Sequence, residues 1–217
     1  MRDSERPDGR DRAGDRDPRL SLDFERALRL EAVAHRDQVR KGSGVPYIEH
    51  PLAVALILDR AAFTEDVVIA GLLHDVVEDT EVTLEQIRSE FGDRVAETVA
   101  VCSETKLDDR GEKRPWIDRK RDHLAAIADA TEAARAVVLA DKYHNLLSIR
   151  LDLDEGRSVW DTFHADRDLV LWYYREMIHL CRSDNGSLSG LADACQDLLT
   201  LVASRPAENR GTGPKEG

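Results

Sequence analysis

The chain has 217 residues, a formal net charge of −12, 41% hydrophobic and 34% charged residues, a composition that fits one soluble globular domain. So acidic a chain lacks the broad cationic surface that nucleic acid or an anionic membrane requires, which excludes both as general partners and means that an anionic ligand must meet a local basic cluster. Cys102, Cys181 and Cys195 are too few and too scattered for a disulfide framework or a zinc knuckle; with no run of ~18 apolar residues for a membrane span and no apolar signal core, they predict a cytoplasmic protein with reduced thiols.

Residues 1–19, MRDSERPDGRDRAGDRDPR, mix Asp and Arg with Gly and Pro and predict a disordered tail. The ordered domain is expected over 20–204, with a second tail over 205–217. It opens on DFERALRLEAVAHRDQVR, where Phe24, Ala27, Leu28, Leu30, Ala32 and Val33 fall mainly on one helical stripe. Pro51 punctuates the start of a second helix, PLAVALILDRA. Thr64, followed by Glu65 and Asp66, is the expected N-cap of a third, which carries VVIAGLL into GLLHDVVEDT. Thr83 and Gln86 read as a capping box for a short helix that Gly92 ends. Further helices are expected over 93–103, 115–129, 131–150, 166–181 and 188–203, with KLDDRGEKR as the most loop-like interior segment. Without strand alternation or a fixed-period repeat, the fold class is all-α, a helical bundle.

The stretch Gly71 to Thr80, GLLHDVVEDT, poses the chemical question. On a continuous helix turning ~100° per residue, His74, Asp75, Glu78 and Asp79 share an arc of roughly 140°. The preceding Val67 to Leu73 is apolar on nearly every side, so this helix is buried, and buried carboxylates must be paired or bound to a metal. Two segments can supply partners: RKGSGVPYIEHP, Arg40 to Pro51, and LADKYHN, Leu139 to Asn145. His50 sits rigidly ahead of a helix-starting proline, Asp141 follows the apolar run AVVLA, and Asn145 lies one turn further on the same face. His50, His74, Asp75 and Asp141 together form a hard-to-borderline set suited to Mn²⁺ or Fe²⁺ in a six-coordinate site, with nothing soft enough for copper.

The series RKGSGVPYIEHPLAVA, AGLLHDVVEDT and LADKYHNL, in this order, resembles the HD-type metal-dependent phosphohydrolases, and specifically the hydrolase domain of the RelA/SpoT-type alarmone hydrolases, over most of the expected domain. Small stand-alone members without a synthetase domain are the most similar. The resemblance implies that His50, His74, Asp75 and Asp141 hold one Mn²⁺ and that Glu78 and Asp79 orient and deprotonate the attacking water. It further implies that Arg40 and Lys41 contact substrate phosphates and that Asn145 belongs to the nucleotide pocket. The implied substrate is a small phosphorylated nucleotide, with the 3′-pyrophosphate of (p)ppGpp as the group removed. The alternative is another nucleotide or phosphomonoester on the same metal; a nucleotide sensor is the weaker reading, because the Glu78–Asp79 pair has no use in binding alone. His35 is expected to support the site from behind or to be structural, and not to bind the metal. The basic segment from Lys106 to Arg121 is expected to be either a lid or a solvated face, and Trp160, Trp172, Tyr173 and Tyr174 to be core packing.

Overall fold

A computed structural model describes residues 20–183 and 186–205; the two expected tails, 1–19 and 205–217, lie outside the described residues apart from Arg205. Ten α-helices account for the architecture, and the described residues hold only two isolated antiparallel bridges, Val39 with Pro46 and Leu107 with Lys113.

Helix α1 (Leu22–Ala34) starts at Ser21, whose hydroxyl accepts the Phe24 N–H at 3.0 Å. Its apolar stripe is narrower than the spacing predicts. Ala27 is fully buried and Phe24, Leu28 and Leu30 pack partly, but Val33 is exposed and Ala32 with it. The buried face is completed instead by Glu31 and His35. Helix α2 (Glu49–Arg60) begins two residues ahead of Pro51, which leaves the proline in a first turn where a missing N–H costs nothing.

The helix predicted to run through the opening motif is broken. Helix α3 (Glu65–Leu72) ends, Leu73 to Asp75 form a turn, and a short α4 (Val76–Asp79) follows. The Val76 N–H bonds the Leu73 carbonyl at 3.2 Å, an i→i+3 tightening that redirects the chain. The four ionisable groups are therefore placed by a turn and a half-detached helix, not by one continuous face. Thr64 also departs from expectation: it is extended as an N-cap should be, but its hydroxyl makes no capping bond, and the dipole is met by Glu65 and Asp66 instead.

Helix α5 (Leu84–Phe91) is capped by Thr83, which accepts the Gln86 N–H at 3.2 Å, while the Gln86 side chain turns to Glu90, so half of the capping box forms. Gly92, at φ +86°, separates it from α6 (Asp93–Cys102), a conformation that costs glycine little. The remaining helices are α7 (Trp116–Ala128), α8 (Glu132–Asp154), α9 (Arg167–Cys181) and α10 (Gly186–Ala203).

Helix α8 is the central post, packed against α2, α3, α6, α9 and α10, with Ala136, Val137, Leu139 and Ala140 wholly buried. Tyr173 and Tyr174 are buried in the same core and Trp160 and Trp172 pack partly on it. Helices α2 and α3 meet closely at Gly71, where a Cβ would stand 2.2 Å from Leu58 Cδ1. No helix among the described residues is long and apolar enough to cross a membrane. The packing brings the start of α2, the α3–α4 turn and the middle of α8 to one place.

Candidate functional site

At that place one ligand atom each from His50, His74 and Asp141 lies within 4.8 Å of the others. His50 Nε2 stands 3.2 Å from Asp141 Oδ1 and 3.6 Å from Asp75 Oδ2. His74 donates from Nδ1 to the Gly71 carbonyl at 2.8 Å, so Nε2 is the nitrogen left to face the cluster. That nitrogen is buried without a hydrogen-bond partner, 3.1 Å from Asp75 Oδ2 and 3.9 Å from Asp141 Oδ1. Orphaned buried nitrogens are rare; two imidazoles and two carboxylates converging on one fit a divalent metal. Asp75 accepts from the Tyr47 hydroxyl at 2.5 Å, and Asp141 accepts from Lys142 Nζ at 2.5 Å and from the Asn145 amide.

The electrostatics of the cluster follow from its burial and its charges. Burial opposes charging His74, but Asp75 and Asp141 outweigh it and push the imidazole up to about 9. For His50 burial wins over Asp141 and takes it down to about 4. Burial also works against both aspartates, yet His74 holds Asp75, and Lys142 with His50 holds Asp141, below the usual carboxylate range. The proton on His74 thus occupies the electrostatic role that a cation would take, and a cation bound there would displace it.

Glu78 and Asp79 stand beside this cluster. Glu78 Oε2 accepts the Glu104 N–H at 2.9 Å, Oε1 lies 3.0 Å from Lys106 Nζ, and Asp79 accepts from the same ammonium. Burial raises the Glu78 pKa against the pull of the Glu104 N–H and Lys106, which suits a carboxylate that must accept a proton. The Asp79 carbonyl is held by Gln38 Nε2 at 3.0 Å.

Both carboxylates open onto a cleft of about 1850 Å³ lined by Arg40, Lys41, Lys106, Lys113, Arg119 and Lys120. A polar chamber of about 170 Å³ at its floor reaches the His and Asp cluster, and Tyr47, Glu78 and Asn145 line both. Arg40 donates to Asn145 Oδ1 at 2.8 Å, whereas Lys41 is exposed at the rim. The basic segment is partly neutralised from within. Lys120 and Arg119 pair with the buried Glu104 at 2.5 and 3.3 Å, Arg114 pairs with Asp122, and Lys106 spans Glu78 and Asp79. It forms a docked wall of the cleft.

Several residues here escaped the sequence reading. Tyr47 and Lys142 each touch an aspartate of the cluster, and Glu104 fixes Glu78 through its backbone. For Lys142 a signal existed: a lysine next to Asp141 in so apolar a run as AVVLADK needs a buried partner.

His35 supports the site from behind, as expected. Its ring stacks on Tyr47 with centroids 4.7 Å apart and its Nδ1 bonds Gln38 Oε1 at 2.9 Å. Its Nε2 is 3.1 Å from Glu31 Oε1 but not aligned for a hydrogen bond, and both Glu31 oxygens are buried without a partner. Burial pushes Glu31 up to about 8. Between an unfolded value near 4.5 and 8 the folded chain keeps a proton that the unfolded chain releases, so this group lowers stability as pH rises, by up to ~1.4 kcal/mol per pH unit. In metal-free protein, Glu31→Gln should therefore match the native chain near pH 5 and exceed it increasingly towards pH 8. Denaturant titrations at several pH values check this; parallel stability curves would refute it.

A family model described as an HD domain matches residues 27–168, well over half of the chain. The guanosine-3′,5′-bis(diphosphate) 3′-pyrophosphohydrolase MESH1 of Homo sapiens is 40% identical over 135 residues, 61% of this chain and 72% of that protein. Its counterpart in Xenopus tropicalis is 38% identical over 170 residues, 77% of this chain and 89% of that protein. The solved structure of a metazoan ortholog of SpoT that hydrolyzes ppGpp superimposes with a TM-score of 0.68 at 28% identity, covering 82% of this chain and 96% of that one. The matched span takes in α2, the α3–α4 turn and the part of α8 that bears Asp141, and the chain belongs to the HD domain family.

Proposed function

We propose that the chain is a Mn²⁺-dependent phosphohydrolase that removes pyrophosphate from the 3′ position of a (p)ppGpp-type alarmone, with residues 20–204 as the unit that carries the activity. The observation that carries this reading is the buried cluster of His50, His74 and Asp141 set beside Glu78 and Asp79 under a cation-lined cleft, in a chain whose net charge is −12. His50, His74, Asp75 and Asp141 would hold the metal. Bound there, a divalent cation supplies positive charge that acidifies water and draws electron density from a phosphoryl oxygen.

The chain's own residues do the rest. Glu78, made more basic by burial, takes the proton of the attacking water, and Asp79 shares in orienting it. The water oxygen bonds to the phosphorus next to the ribose, the bond from that phosphorus to the 3′ oxygen breaks, the 3′ oxygen takes up a proton from solvent to become a hydroxyl, and pyrophosphate departs. Arg40 and Lys41 meet the charge on the phosphate oxygens, and Asn145, held by Arg40, faces the nucleotide. Three free, buried cysteines support a cytoplasmic setting.

The test is turnover by purified protein with Mn²⁺ on 3′-pyrophosphorylated guanine and adenine nucleotides, ordinary nucleotides and monophosphates. Release of pyrophosphate from the first set alone is expected; turnover of the others alone would replace the substrate assignment. On the preferred substrate, Arg40→Ala/Lys41→Ala should lower kcat/KM roughly 10–100-fold, since hydrogen bonds to charged groups are worth ~1.5–3 kcal/mol. Metal content should not change. Unaltered kinetics would assign both residues to a solvated loop.

A further inference from the structure

Behind the His and Asp cluster lies a further histidine, His144, that the proposed chemistry does not use. His144 is buried, its Nδ1 stands 2.8 Å from His50 Nδ1, and its Nε2 stands 3.1 Å from Glu49 Oε1. Resting on the metal reading above, we infer that His144 is a positioning residue: the Glu49–His144–His50 chain fixes which nitrogen of His50 is presented to the metal.

The direction of the chain follows from its end. An ionised carboxylate can only accept, so His144 Nε2 carries the hydrogen that Glu49 receives. A neutral His144 then has a lone pair on Nδ1, and His50 Nδ1 must donate to it. That leaves the lone pair of His50 on Nε2, which is the nitrogen aimed at Asp141 Oδ1 and Asp75 Oδ2. The opposite arrangement sets the lone pair of His144 Nε2 against Glu49, which has no other donor among the described residues, whereas the lone pair of His50 Nε2 faces carboxylates that already accept from Asn145, Lys142 and Tyr47 and that a cation would separate from it. Glu49 is half exposed, so it can stay ionised, and it adjoins His50 in sequence while His144 comes from α8, so one contact ties the two ligand-bearing helices. A metal-bound histidine is commonly oriented by a carboxylate or carbonyl on its far nitrogen; here an imidazole transmits the carboxylate's preference.

Calorimetric titration of Mn²⁺ into metal-stripped protein tests this. His144→Leu keeps the bulk but offers no acceptor and should weaken Mn²⁺ binding ~10–100-fold. His144→Asn places Oδ1 close to the position of Nδ1 and should remain within about threefold of native, because that oxygen can only accept. Imidazole ¹⁵N spectra of the metal-free native protein should show His50 protonated at Nδ1, and this should be lost in the Leu variant. Equal loss in both variants, or no loss in either, overturns the positioning role. Native protein that shows the Nδ1 proton yet binds no Mn²⁺ overturns the metal reading alone; His50 protonated at Nε2 in a native protein that does bind Mn²⁺ overturns the chain alone.

Discussion

Asp141→Ala is expected to empty the metal centre and to destabilise the fold even before metal is added, whereas His74→Ala should empty it with a much smaller loss of stability. The difference lies in what each side chain leaves behind. Asp141 is the partner of Lys142, whose buried ammonium it holds well above its usual range against the cost of burial. Taking away one partner of a buried ion pair costs ~3–5 kcal/mol, because the remaining charge has nowhere to go. Asn145 loses an acceptor as well. His74 is also a charged partner, and it holds Asp75 low, but the Asp75 it would strand keeps the Tyr47 hydroxyl, has some access to water and can take up a proton instead. Elemental analysis and denaturant unfolding of metal-stripped proteins separate the two effects. Undiminished metal in both variants would reject the site, and equal destabilisation would reject the account of Lys142.

Glu78→Gln should keep the fold, the metal and substrate binding while losing ~10²–10⁴-fold in kcat, the range that general-base assistance supplies. Gln still accepts the Glu104 N–H through its carbonyl oxygen. Its amide NH₂ cannot pair with Lys106, whose ammonium retains Asp79. What Gln cannot do is accept a proton at neutral pH. Asp79 sustains the residual rate. The sign of the pH dependence follows: the base must be unprotonated, and burial raises the Glu78 pKa, so in the native enzyme kcat should fall on acidification earlier than an ordinary carboxylate would dictate. The Gln variant should lack that limb. If the variant loses its metal, Glu78 is a ligand; if it turns over normally, the GLLHDVVEDT stretch is structural.

The helices were legible because apolar spacing reports one face at a time, and ionisable residues inside apolar runs stood out for the same reason. His74, Asp75 and Asp141 could be singled out as needing partners because VVIAGLL and AVVLA flank them. The break at Leu73 to Asp75 was not legible. The spacing continues through it into Val76 and Val77, and only the Val76 to Leu73 hydrogen bond reveals the tightened turn. The hydrogen bonds that join segments distant in sequence were equally hidden. Tyr47 reaches Asp75 across 28 positions and Lys106 reaches Asp79 across 27, distances over which docking geometry, not local pattern, decides who meets whom. The stripe of α1 was misjudged at its C-terminal end because Glu31 and His35, polar by type, take the inward places that Ala32 and Val33 were expected to fill.

The histidine contact behind the site joins residues 94 positions apart, and that separation governs the order in which this molecule can assemble. A growing chain carries His50, His74 and Asp75 long before Asp141 exists, and three ligands on an unfolded chain make a poor chelator. The complete set forms only after α8 has closed a long loop onto α2 and α3, the step that such topologies make slow. An ion held as proposed by all four residues would therefore arrive after the folding barrier has been crossed. Interactions made after the barrier act on the way out: they leave the folding rate alone and slow unfolding, so such an ion would lock a fold that it does not help to build.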